Sequence, residues 1–203
     1  MESKVDICNL ALIEAKYDNT IESLDEATVA AERCKRLYDT CRRELLAKYP
    51  WSFATKFMEL PKELKGTETE ENAFLYPKNA IRILRIYSSP MEYERRRFYR
   101  MPTDNVRVAF VDGRKSILSK YDRAFVEYIY DEDIEDNFSP SFTRLLYLTI
   151  ALRLAKLSGA STQDLQLIML QIQETEREAQ SLSVREDDNH IYADEDLYIR
   201  VRG

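Results

Sequence analysis

Five carboxylates crowd into six residues at Asp131-Glu132-Asp133 and Glu135-Asp136. Oxygen donors in such density suit a hard cation, but a calcium loop sets its ligands around a turn glycine and closes with a bidentate glutamate. Neither is in place here. The favoured reading is a solvated linker whose acids precede a helix N-terminus, where the helix dipole welcomes negative charge. The opposite charge gathers at Arg95-Arg96-Arg97, with Tyr93, Phe98, Tyr99 and Arg100 around it. Such a cluster can touch DNA phosphates or stack on bases, bind an acidic patch on a neighbouring subunit, or sit in a solvated loop. The residue types leave these three open.

Catalytic groups are scarce. The one histidine, His190, falls in a polar stretch near the C-terminus and is a poor base or ligand there. Four glycines scattered singly cannot form a phosphate-cradling loop, and no serine elbow or Cys/His pair supplies a nucleophile. Cys8, Cys34 and Cys41 are odd in number, lack metal-ligand spacing and occupy apolar positions of expected helices. They read as small buried hydrophobes in a reducing compartment. The chain is therefore expected to be no enzyme, and to need no cofactor and no metal.

The elements that would carry these residues follow from periodicity. Ser3 with Asp6 starts a first helix whose buried stripe is Val5, Cys8, Leu12 and Ala15. Ser23-Leu24-Asp25-Glu26 reads as a capping box for a second, with Ala27, Ala30, Cys34, Leu37, Cys41 and Leu45 inward, ending before Pro50. Phe53 to Leu60, Ile81 to Tyr87, Val106 to Phe110, a return strand at Ile117 and Leu118, and Ala124 to Tyr130 read as strands. Asp112-Gly113 is a two-residue hairpin signal. Residues 62 to 72 read as a loop and 91 to 103 as irregular. Ser139-Pro140 opens a third helix that is apolar almost all round, which places it centrally; Gly159 stops it. Ser161 caps a fourth, with Leu165, Ile168, Met169, Ile172, Ala179 and Leu182 on one face.

The layout predicts an α+β fold: a four-helix bundle from residues 1–50 plus 138–183, an inserted antiparallel β-domain at 51–137, and an extended C-terminal arm at 184–203. That last stretch cannot build a core of its own. It is either a frayed terminus or an arm that orders on a neighbour through Tyr192, Leu197, Tyr198, Ile199 and Val201.

At 203 residues the chain can bury a core without disulfides. Its net charge of −6 argues against stable nucleic-acid binding by the whole chain. The opening MESKVDICNLAL carries acids early and has no small-residue cleavage site, so a signal peptide is not expected, and no run is apolar enough for a membrane span.

Several segments, in order, resemble the tail tubular protein A family, the head–tail adaptors of short-tailed phages. They are CNLALIEA, then Ile21 to Glu26, then the pattern AxxxxxxYDxxRxxLLxxxPW running from Ala31 through Tyr38-Asp39, Arg42 and Leu45-Leu46 to Pro50-Trp51. Trp51-Ser52-Phe53-Ala54 matches the family's signature at the entry to its β-domain, carried by Trp51 and Phe53. Phe74 to Arg82 and Phe138 to Phe142, followed by Leu152-Arg153-Leu154-Ala155, continue the match over most of residues 3–182. Tyr76 stands where the family usually has leucine, and Tyr49 where it often has histidine.

The resemblance implies a virion protein of the tail, assembled in the host cytoplasm. It would be a twelve-fold ring of copies of itself that binds the portal protein on one side and the tail nozzle or tail tube protein, with tail fibre proteins, on the other. DNA would pass through without sequence-specific contact at genome ejection, and no membrane would be involved. Within that picture the mixed-charge face of the second helix, with Arg33, Arg36, Asp39 and Arg43, is the expected inter-subunit contact, and the C-terminal arm is the expected portal-docking element. Arg95, Arg96 and Arg97 remain a partner or DNA contact. The alternative from another class is a soluble non-viral protein-binding helical module without catalytic activity.

Overall fold

The computed structural model describes residues 2–64, 72–99 and 106–179. The chain divides into two compact units: a helical one, from the start to Lys48 and from Glu132 onward, and a contiguous one, Tyr49–Asp131. Residues 132–137 thus fall with the helices, whereas the sequence reading drew the limits at 50 and 137.

In the helical unit, α1 (Lys4–Glu14) begins with a reciprocal cap: the Ser3 hydroxyl accepts from the Asp6 amide, and the Asp6 carboxylate accepts from the Ser3 amide. Its inward face is Ile7, Cys8, Ala11 and Leu12, with Val5 only half-buried. The expected start of α2 (Val29–Lys48) at Ser23 is corrected by five residues or so of turn. The Ser23 hydroxyl accepts from the Asp25 amide and the Glu26 carboxylate from the Glu22 amide, bonds that close a turn and cap no helix. Thr28 caps instead, its hydroxyl accepting from the Ala31 amide at 3.2 Å. The later start rotates the buried stripe to Ala31, Cys34, Tyr38, Cys41, Leu45 and Leu46, and leaves Ala27 exposed and Ala30 and Leu37 half-buried.

Helix α4 (Pro140–Ser158) has its Ser139 cap, proline in the first turn and a left-handed Gly159 at its end. It buries Phe142, Leu145, Leu146, Leu148, Ile150, Ala151, Leu154 and Ala155 and packs against both α1 and α2. The final helix, α5 (residues 162–179), is tied to distant elements through ion pairs: Lys16 to Asp164, Lys48 to Glu176 and Arg144 to Glu178. It buries Ile168, Thr175 and Ala179, whereas Met169, expected inward, is exposed; Leu182 lies outside the described residues.

Among the described residues, the strands of the contiguous unit all pair antiparallel, beside one α-helix and a 3₁₀ turn. One sheet has the order β1-β7-β4 and the other β2-β3-β6-β5. The strands are β1 (Thr55–Glu59), β2 (Lys62–Leu64), β3 (Asn72–Leu75), β4 (Ala80–Tyr87), β5 (Arg107–Val111), β6 (Arg114–Ser119) and β7 (Phe125–Tyr130). Both sheets feed one core, with Phe74 and Ile117 from one and Ile86, Val126 and Tyr128 from the other. Asp112 and Gly113 both take positive φ, 48° and 76°, which is what a two-residue turn needs to match strand twist.

Three expectations fail here. Phe53 belongs to a 3₁₀ turn, Ser52–Ala54, and not to the strand that follows. Lys62–Leu64, read as loop, pairs with β3. Residues read as irregular from Met91 form α3 (Pro90–Tyr99). The reason for α3 is local. Ser89 caps it by accepting from the Glu92 amide, proline fills the first helical position, and the Glu92 carboxylate accepts from the Ser88 amide and hydroxyl. Tyr93 then stacks on Phe57 at 4.1 Å and meets Tyr87 edge-on, which fastens the helix to the three-stranded sheet.

Candidate functional site

The acidic stretch is less solvated than its composition predicts. Glu132 is buried, and its carboxylate accepts from the Ile134 amide. Arg42, 4 % exposed on α2, donates to the Glu132 carbonyl. Glu135 accepts from the Tyr38 hydroxyl at 2.9 Å and lies 3.7 Å from the Lys4 ammonium. Burial and this neighbouring carboxylate push the Tyr38 phenol well above its ordinary range. The Glu132 carbonyl and the Glu135 carboxylate thus tie the segment after β7 to α1 and α2, while Asp133 and Asp136 stay exposed. These bonds make a structural joint.

Beside this joint lies an open cleft of about 450 Å³, lined by residues that include Glu2, Asp136, Phe138, Arg144 and Tyr147. Among the described residues no three His, Cys, Asp or Glu side chains are grouped to hold a metal ion. No helix among them is long and apolar enough to cross a membrane.

The residues singled out for contact are placed as follows. On α2, Arg36 is exposed and bonded to Glu32 at 2.6 Å, and Asp39 is exposed and 3.5 Å from the Arg42 guanidinium. Arg43 is exposed on the same helix. Arg33 is half-buried and donates to the Tyr17 hydroxyl at 2.6 Å, so it braces the loop after α1. Lys35 pairs with Asp25, and Glu44 with Arg153 of α4. The outer face of α2 thus carries exposed pairs such as Arg36 with Glu32 and Lys35 with Asp25, each worth ~0–1 kcal/mol and easily exchanged for partners elsewhere.

Trp51 is buried and flanked by the rings of Tyr49 at 5.7 Å and Phe53 at 6.0 Å. The Thr55 hydroxyl donates to the Trp51 carbonyl at 2.7 Å. The tryptophan signature therefore builds the start of the contiguous unit and is no ligand platform. Arg95, Arg96 and Arg97 lie in the last turns of α3 and not in a loop. Tyr192, Leu197, Tyr198, Ile199 and Val201 of the arm, and His190, lie outside the described residues.

Sequence reasoning missed Tyr38, Arg42, Glu132 and Glu135 as a connected set. A weak signal existed: an arginine and a tyrosine four apart on the inner face of α2 must find partners when buried. No family model and no curated protein matches the chain.

Proposed function

We propose that the chain is a ring-forming structural adaptor of a virus tail, joining the portal to the tail nozzle or tube and lining the channel through which DNA leaves. The supporting observation is the distribution of the resembling segments. Those before Lys48 and those after Phe138 pack into one helical unit, while the stretch entered at Trp51 forms an antiparallel unit of its own. In this reading α1, α2, α4 and α5 make a four-helix bundle, and bundles stand side by side around a ring of twelve. Heterologous contacts of this kind close into rings. The exposed charges on α2, Arg36, Asp39 and Arg43, would find partners across that contact. Residues 184–203 would be the portal-docking arm, with Tyr192, Leu197, Tyr198, Ile199 and Val201 as its anchors. Such an adaptor carries no catalytic activity and no cofactor, and belongs to the virion tail after assembly in the host cytoplasm.

The test is to mix the full chain with its portal protein and image the particles in negative stain. Rings of many copies are the expected result. A one-to-one complex, as a soluble binding module would give, or no complex at all, overturns the reading. Deleting residues 184–203 is expected to leave a folded monomer, by circular dichroism, that no longer joins the portal.

A further inference from the structure

Among the described residues the strands at sheet edges are β1, β4, β2 and β5. The first three are blunted against further pairing. β2 is three residues long and breaks register with β3. β4 breaks register twice against β7. β1 carries Lys56 and Glu59. β5 differs: it keeps an unbroken register with β6 over Arg107–Val111, and after Arg107 it has no charge and no proline.

The side chains of β5 add a second observation. Val108 lies opposite Ile117 and Phe110 opposite Lys115, and directly paired residues share a face of the sheet. Ile117 is fully buried in the core that both sheets feed, so the core face continues onto β5. There it runs out into solvent, with Val108 46 % exposed and Phe110 76 % exposed. An edge strand beside an overhanging apolar face is the setting in which an extended segment adds itself to a sheet. The hairpin that carries this edge is basic, with Arg107, Arg114, Lys115 and Lys120 against Asp112.

The chain itself carries a segment of matching length, pattern and charge. Leu197 to Val201 spans five residues, as β5 does. With the two-residue period of a strand, Leu197, Ile199 and Val201 share one side, and Tyr198 and Arg200 the other. The run Asp194-Glu195-Asp196 leads into it, opposite in sign to the hairpin. We propose that residues 194–201 of one copy add a strand to β5 of a second copy, with Leu197, Ile199 and Val201 laid beside Val108 and Phe110. Donor and acceptor patches differ, so the contact is heterologous and passes from copy to copy. It goes beyond the adaptor reading and stands without it, because no portal is needed; a portal that takes the arm competes with β5 for it.

The experiment is sedimentation of the full chain without portal, beside a chain lacking residues 184–203 and a full-length Phe110→Asp variant. Phe110→Asp sets an acid where the acidic arm docks, at a site exposed enough to leave the fold intact by circular dichroism. Val108→Asp takes its place if the dichroism changes. The unaltered chain is expected to sediment above its 23.9 kDa monomer, more so at high concentration and less so at high salt. The deletion and Phe110→Asp should each be monomeric alone. Mixed, they should form a one-to-one complex, since one supplies the arm and the other the open edge. An unaltered chain that stays monomeric at every concentration, oligomers that survive the deletion through edge-to-edge pairing, or a mixture that forms no complex overturns the proposal.

Discussion

The helical unit and the contiguous unit solve the same burial problem by different routes. The helical one joins chain segments far apart in sequence. Its core is aliphatic, centred on α4, and its surface is laced by ion pairs between remote residues such as Lys16 with Asp164 and Lys48 with Glu176. The contiguous one closes on itself within residues 49–131, pairing β5 with β6 through a hairpin and β7 with both β1 and β4, and stacking Phe57, Tyr87, Tyr93 and Phe125 into one aromatic group. In the helical unit a local change should be felt across the chain's two halves; in the contiguous unit its reach should stay within one stretch.

That contrast can be broken by experiment because the only tryptophan, Trp51, reports the contiguous unit while far-ultraviolet dichroism at 222 nm is dominated by helix. The largest effect is expected from Leu146→Ala, which empties a fully buried site on α4 and should cost about 2–5 kcal/mol. Urea titration should show the dichroism midpoint falling while the Trp51 fluorescence midpoint stays. Coincident shifts would show one cooperative block instead of two. Next comes Arg42→Ala, expected to cost about 2–3 kcal/mol in the dichroism signal, since it strips the Glu132 carbonyl of a charged donor.

A third test uses alkali and touches both units. Tyr38 and Tyr87 each have the phenol pushed up by burial and by a carboxylate, Glu135 and Glu127 respectively. A raised folded value means that their contribution is whole below the unfolded value of ~10 and is lost as pH climbs above it. Tyr38→Phe should cost about 1 kcal/mol at neutral pH. It should also shrink the alkaline loss in the dichroism midpoint, with the Trp51 signal still declining through Tyr87. The smallest effect is expected in acid. Among the described residues, Asp6, Asp25 and Asp164 of the helical unit are held low by the Ser3 cap, Lys35 and Lys16, against Glu59, held by Arg123, in the other. Depressed values give stability that is present above pH ~4 and fades as pH falls through them. Titration from pH 6 to 2 should therefore lower the helical midpoint slightly more.

What could be read from the chain divides along physical lines. Ser3 with Asp6, Ser139-Pro140 and Asp112-Gly113 were legible because each motif is satisfied by residues next to it. Ser23 to Glu26 has the letters of a cap but spends its bonds on a turn, and only the packing of Ala31 and Cys34 shows where α2 must begin. Ser89-Pro90 followed by Glu92 carries the same signal as Ser139-Pro140, and the arginines after it obscured a helix that was there to be read. The short β2 depends on pairing with β3, and β3 on pairing with β6, which no local pattern reveals. The Arg42 and Tyr38 joint was illegible for the same reason: its partners lie far along the chain.

The split of the helical unit around a contiguous insert bears on how the protein is made. Helices α1 and α2 leave the ribosome first, yet the aliphatic surface that covers them ends at Ser158, well after Lys48. At ~5–20 residues per second they wait roughly 5–20 seconds for α4. Residues 49–131 need no such delay and can close as soon as they emerge. During that interval the nascent chain shows Ile7, Leu12 and Leu46 to whatever is nearby, and a holding chaperone would find its target there.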